Sequence, residues 1–413
     1  ILQTDNIDHK KHTFAVQKKL EEDAFLKEEA SEKIVKTWTN VLSWETLHND
    51  EDGDFEIVRK IGFCGFRNRK KGMITHYKYS QAYSFSESLA IVELNERWGF
   101  IDKQGKEVNT IIYEHLDSFN KGLARAKLNG RWGFIDKQER EIIPIIYKIA
   151  FLFSEELSVV LLFSKFGFID RNGKIIIPIK YDSADSFSEG IARVKLNDNW
   201  GFIDRQQKEI IPIKYDFASP FKEDLAIVKL NWKWGFIDKK GNVIIPIQYD
   251  YVSEFSEGLS CVGLDEKYGY IDKQGNEIIS IKYDNAGSFN EGLAFVKLNW
   301  KWGFIDKQGN EITPIHYQEV DLFRKGFARV KLNGKWGIID KQGNEIIPIK
   351  YDYTDFYRDN FARVKLNEKW GIIDNQGTEV TPIKYDSIEL FIDNFARVKL
   401  NERWGFIDKQ GNE

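Results

Sequence analysis

The sequence predicts an all-β repeat protein: an open superhelical array of about ten 34-residue units, each a three-stranded antiparallel sheet, behind a helical N-terminal segment. Three observations carry that prediction. First, a Trp-Gly dipeptide or an aromatic stand-in recurs at Trp98, Trp132, Phe166, Trp200, Trp234, Tyr268, Trp302, Trp336, Trp370 and Trp404, every interval being 34 residues. Second, the units place glycines, and most of them a proline, inside apolar runs where a helix would be broken. Third, β-branched and aromatic residues fill the remainder, which suits a half-buried pleated surface. Helix-pair repeats share this period, so the internal pattern decides the class. A unit this small cannot bury its own apolar face, so copies must stack.

In chain order, residues 1–59 are expected to form a helical N-terminal segment and acidic loop that cap the array or link it to something upstream. Within them, residues 14–47 carry helix formers, charges and spaced apolar residues such as Leu20, Ala24, Ile34 and Trp38, and read as one long helix or two shorter ones. The acidic stretch "HNDEDGD" follows as a loop. The array then occupies 60–413. It opens on a worn copy, "IGFCGFRNRKKGMITHYKY", in which Cys64-Gly65 holds the Trp-Gly place, and continues through ten clear units.

The unit beginning at Phe327 shows the parts. In "FARVKLN", Ala328, Val330 and Leu332 alternate with Arg329 and Lys331, the pattern of a half-buried strand. Asn333-Gly334 is a two-residue hairpin turn whose geometry requires positive φ. The second strand ends in Asp340-Lys341-Gln342-Gly343, a type I turn closed by a glycine bulge, with the Asp side chain accepting from backbone N–H groups. Glu139 and Gln207 stand where other units keep that Gly. The third strand carries proline at Pro144, Pro178, Pro212, Pro246, Pro314, Pro348 and Pro382, which places it at an edge or at a bulge. A linker such as "YDSADSFSEG" leads onward, its aromatic (Phe187, Phe221, Phe255, Phe289, Phe323, Phe391) expected to plug the seam between neighbours. A closed propeller-like ring is the alternative, but its blades usually have four strands and about 40 residues.

Composition excludes several classes. The formal charge is −4, with 60 Lys and Arg against 64 Asp and Glu, so the overall balance supplies no basic surface for nucleic acid. The two cysteines, Cys64 and Cys261, lie far apart and suggest neither a disulfide framework nor a Cys-based metal site. No apolar run approaches the roughly 18 residues of a membrane span. The chain opens "ILQTDNIDHK" and its only methionine is Met73, so it reads as a processed or excised piece and the missing leader says nothing about export. Compartment is not legible.

With "KWGIIDKQGNEIIPIKYD" (335–352) and the pattern F-x-x-G-L-A-x-V-K-L-N laid out, the chain resembles the bacterial WG-repeat family, also called KWG repeats. The resemblance covers nearly all of 60–413. It implies a binding or scaffolding module and lends no catalytic residues.

Each recurring residue has a packing or turn duty. The repeated Trp is expected as core, since burying an indole removes on the order of 150–250 Å² from water. The repeated Asp is explained by its turn and lacks the clustered oxygen ligands of a calcium site. The six histidines share no metal spacing, and no nucleophile set or phosphate loop assembles, so no cofactor and no enzyme activity are expected. More informative are units that break the pattern. The outward face of the first strand usually shows Arg and Lys, as at Arg329/Lys331, but shows Val159/Leu161, Ile227, Cys261/Gly263 and Phe295 in the stretch 159–295. At the hairpin tips of the same stretch stand Phe163, Trp232 and Trp300. Exposed apolar clusters mark interaction sites and Trp is favoured at hot spots. The sequence therefore reads as a non-catalytic scaffold binding a protein partner through Phe163, Trp232, Trp300, Val159, Leu161, Ile227 and Phe295. Polysaccharide or cell-surface glycan binding through exposed aromatics is the alternative.

Overall fold

The computed structural model describes residues 46–49, 54–60, 62–108, 111–358, 360–392 and 394–412. The chain divides into two compact bodies, residues 1–194 with 205–207 and residues 195–204 with 208–413. Both are built from the same antiparallel sheet, and no sheet among the described residues closes into a barrel.

The unit containing Trp336 shows why the sequence adopts this form. Phe327–Leu332 and Lys335–Asp340 make a hairpin in full register, Leu332 opposite Lys335 and Phe327 opposite Asp340. Asn333 and Gly334 have φ of 50° and 76°, the positive pair that a two-residue turn of primed type requires. Asp340 then folds the chain back. Its Oδ1 accepts from the backbone N–H of Gln342 at 2.9 Å and of Asn344 at 2.8 Å, and its Oδ2 from the Asn344 amide at 2.9 Å.

The third strand, Glu345–Tyr351, is both an edge and bulged, as its proline requires. Trp336 pairs with Tyr351 and Ile338 with Ile347, so two residues on one side face four on the other, and Pro348 sits in the excess. That bulge explains the glycine of the Trp-Gly pair. A Cβ on Gly337 would stand 2.6 Å from the Ile347 carbonyl oxygen and 2.7 Å from Ile349 Cγ1, so only hydrogen fits where the bulge crosses.

The unit has four strands, not the expected three. Two linker residues, Glu319–Val320, run antiparallel to the first hairpin strand, Glu319 opposite Lys331 and Val320 opposite Val330. A two-residue strand is too short to show alternation in sequence, yet it satisfies the outer edge of the hairpin.

Core lies between sheets and not within them. One cluster joins Leu293, Phe304 and Tyr317 of one unit to Phe323, Ala328, Val330 and Ile339 of the next. The linker aromatic does plug this seam: the Phe304 and Phe323 rings lie 4.7 Å apart, and Phe134 and Phe153 repeat the contact at 4.8 Å in the other body.

Most of the helix expected over 14–47 lies outside the described residues. Its last two residues, Thr46 and Leu47, belong to a strand, Thr46–Asn49, that pairs with Phe55–Lys60. Phe55–Lys60 in turn forms a hairpin with Phe63–Asn68, so the first unit's hairpin draws on residues placed in the N-terminal segment. Cys64 bridges Tyr79 there, as Trp98 bridges Tyr113 in the next unit, which bears out the worn copy. No helix among the described residues is long and apolar enough to cross a membrane.

Candidate binding surface

The strand face taken from the sequence as outward is a seam. Arg329 donates from Nε to Asp321 Oδ2 at 2.6 Å and from Nη1 to the Thr354 carbonyl of the following sheet, also at 2.6 Å. Its guanidinium carbon lies 4.9 Å from the Trp336 ring, and the side chain is only 16% exposed. Arg125 does the same with Asp117, Ala150 and Trp132, and Arg363 with Asp355, Ile388 and Trp370. Alternation of Arg with apolar residues suggested a wet face, but stacked sheets cover both faces.

This corrects four of the seven residues proposed for partner binding. Val159 is 1% exposed and Leu161 is buried with it. Ile227 is half-buried in the cluster around Phe236 and Val262, and Phe295 half-buried in the one around Phe304 and Val330. All four are seam packing. A signal for this was present in the repeats themselves. Wherever Arg holds the seam position, an acid stands eight residues earlier: Asp117, Asp185, Asp321, Asp355 and Glu389. Wherever Arg is replaced, by Ile91, Val159, Ile227, Cys261 or Phe295, that acid is replaced too, by Tyr83, Phe151, Ser219, Ser253 or Gly287. Each swap has its own fit. Ser253 Oγ accepts from the Cys261 N–H at 2.9 Å, and a Cβ on Gly287 would lie 2.3 Å from the Phe295 ring. Burial holds the Cys261 thiol up at about 12.

The three tip residues are where the sequence placed them. In the first body Phe163 is 90% exposed at φ 49°, in the turn position usually given to Asn. In the second body Trp232 and Trp300 are 81% and 82% exposed at φ 67° and 65°. They occupy equivalent tips two units apart, with the Asp265-Glu266 tip between them in sequence, and no ring contact joins them. Each indole leans on a lysine of its own hairpin. Lys229 Nζ is 4.6 Å from the Trp232 ring centre and 5.0 Å from that of Trp234; Lys297 Nζ is 4.7 Å from Trp300 and 5.2 Å from Trp302.

Elsewhere the lysine at this place has a carboxylate from the same turn. Lys195 pairs with Asp198 at 2.9 Å and Lys365 with Glu368 at 2.7 Å. Replacing that acid with Trp exchanges an ion pair for a cation held between two indole faces, worth about 0.5–1 kcal/mol at an exposed site. The cation stays uncompensated: neither Lys229 nor Lys297 has an ion pair among the described residues. The result is a flat apolar surface with a buried-edge positive charge.

The recurrent Trp is less buried than a core residue. Trp98, Trp336 and their interior equivalents are half-buried, one face covered by the basic residues of the adjacent strand, whereas Tyr351, paired opposite Trp336, is 2% exposed. No group of three or more His, Cys, Asp or Glu among the described residues is placed to hold a metal ion.

No curated protein matches the chain. Among solved structures it is similar to a eukaryotic initiation factor, with 11% identity and TM-score 0.27 over 79% of this chain and 94% of that one. It is also similar to KlHsv2 with loop 6CD replaced by a Gly-Ser linker, at 11% identity and TM-score 0.26 over 66% and 99%, and to Hsv2 of Kluyvelomyces marxianus, at 9% and 0.21 over 70% and 91%. Scores this low carry no argument about this chain. The model of the WG containing repeat matches ten consecutive segments, at 65–98, 98–132, 132–162, 166–200, 200–234, 234–268, 268–302, 302–336, 336–370 and 370–404. The chain belongs to the WG-repeat family.

Proposed function

We propose that the array is a non-catalytic scaffold that binds a protein partner at its hairpin tips, with Trp232 and Trp300 as anchors. The observation that carries this is the pair of indoles more than 80% exposed at turns where other units place a carboxylate or glycine. Packing gives these rings no return, since each leans only on its own lysine. Large rigid aromatics that are solvent-exposed when free are the side chains that dominate binding energy when covered. The recurring polar residues are meanwhile occupied structurally, Asp340 in its turn and Arg329 in its seam.

Lys229 and Lys297 add a chemical preference. A partner segment presenting a carboxylate beside an apolar group meets both halves of each tip. Pull-down with the intact chain should recover a partner that is lost from the Trp232→Ala, Trp300→Ala double variant. Unchanged recovery of every partner would remove the site. The same flat indole beside a cation also suits a sugar ring bearing a carboxylate, and retention on acidic polysaccharide in place of protein would move the reading to glycan binding.

A further inference from the structure

The outer edge of each unit is guarded, and one edge is not. Seven of the eight full-length third strands place proline at the bulge, and the strand Glu277–Tyr283 places Ser280 there. Because proline fits this backbone in seven copies, the N–H at the position is not needed by the sheet, and in Ser280 it is a spare donor. A second guard acts one residue later. The N–H of Ile349 donates to Glu345 Oε2 at 3.1 Å, that of Ile145 to Glu141 at 3.2 Å and that of Ile213 to Glu209 at 3.4 Å. A carboxylate from the strand's own start can reach that N–H only if it points away from the ladder. Glu277 makes no such bond to Ile281, and it has no ion pair among the described residues. This strand thus carries two successive outward donors, with exposed Ile278 and Ser280 beside them.

Proline and charged side chains on edges are the ordinary defence against strand pairing between molecules. Their joint absence at one unit of ten selects a single edge. We propose that the Glu277–Tyr283 edge pairs with the same edge of a second copy of this chain, antiparallel and about a two-fold axis between Ile279 and Ser280. That register is self-complementary. Glu277 of each copy faces Lys282 of the other, and Ile278 faces Ile281, so both charges and the exposed isoleucine find partners twice. Lys282 is available for this, having no carboxylate partner among the described residues and resting its Nζ 5.2 Å over its own Tyr283 ring. In the remaining units the same letters are present but proline breaks the ladder at its centre.

Sedimentation equilibrium of the full chain tests the proposal. Wild type should show a monomer–dimer equilibrium in the micromolar range, and Ser280→Pro, a residue the other copies already accommodate, should weaken it by roughly tenfold or more with unchanged melting. Lys282→Glu should weaken it similarly by opposing two carboxylates, and the double variant Glu277→Lys, Lys282→Glu should restore it. A wild-type chain that stays monomeric throughout that range overturns the proposal. So does a Ser280→Pro dimer as strong as wild type, or a charge swap that fails to restore association. The tip variants Trp232→Ala and Trp300→Ala should leave this equilibrium untouched, which separates it from partner binding.

Discussion

Arg329 and Thr354 stand 25 residues apart and in different sheets, and the guanidinium Nη1 of one donates to the carbonyl of the other at 2.6 Å. The same side chain holds Asp321, so a single arginine ties a linker, a hairpin and the next unit together. Cys261 reaches the equivalent carbonyl, Ala286, from its Sγ at 3.6 Å, which shows that the seam tolerates different chemistry at one geometry.

From this follows a transplant. Arg329→Phe alone should destabilise the fold by about 2 kcal/mol, since it leaves Asp321 without its charged partner and crowds a ring against it. Arg329→Phe combined with Asp321→Gly reproduces the Phe295/Gly287 pair and should recover most of the loss. Urea denaturation of the three chains measures it; a double variant no better than the single would show that the two positions do not act as a unit.

A second prediction uses two glycines of identical sequence context. A Cβ on Gly337 meets the Ile347 carbonyl oxygen at 2.6 Å, whereas Gly405 has nothing within 4 Å. Gly337→Ala should therefore cost about 1–3 kcal/mol by overpacking, and Gly405→Ala well under that. Thermal melts of the two variants decide it, equal losses pointing to a backbone requirement in place of a steric one.

The hairpin, the Asp turn and the bulged proline strand were legible because each leaves a local mark: alternation, Asn-Gly, Asp before Gly, proline. The short strand Glu319–Val320 was not, since two residues define no period. Its existence also removes one ground for setting the closed ring aside, the count of three strands per unit. Arg329 and Val159 were misplaced for a different reason. Period two says which residues share a face but not whether a neighbouring sheet covers it, and the arginine that looked solvated is sealed by Trp336 and Thr354. Phe163, Trp232 and Trp300 were found correctly because a tight turn projects its side chains away from both faces.

Tip exposure has a direct optical test. Of the 12 tryptophans, Trp232 and Trp300 are each more than 80% exposed, and Lys229 and Lys297 set a positive charge within 5 Å of their rings. Iodide should quench their emission more strongly than caesium at equal ionic strength, because the cation concentrates the anionic quencher. The iodide preference should disappear in the Trp232→Ala, Trp300→Ala double variant, whose unfolding midpoint should match wild type within about 0.5 kcal/mol. Equal quenching by both ions would mean that the lysines do not sit over the rings in solution.

Acid sensitivity follows from the turn carboxylates. Burial pushes Asp340 up, but the hydrogen bonds from the Asn344 side chain and from the Asn344, Gln342 and Gly343 backbones outweigh it and hold the group below the ordinary carboxylate value. Asp238, Asp272 and Asp306 are lowered by the same balance, and Asp408 chiefly by its Asn412 bond. A carboxyl lowered in the folded state contributes stability that is complete above its unfolded value, about 4, and is lost as pH falls through the folded value. Urea midpoints should therefore hold steady from neutral pH to about 5 and fall steeply below about 4. Replacing Asp340 by Asn removes one titrating group and should reduce the size of that fall while lowering the midpoint at neutral pH. A midpoint that rose on acidification, or an Asp340→Asn chain with an unchanged acid limb, would show that these turns do not govern the response.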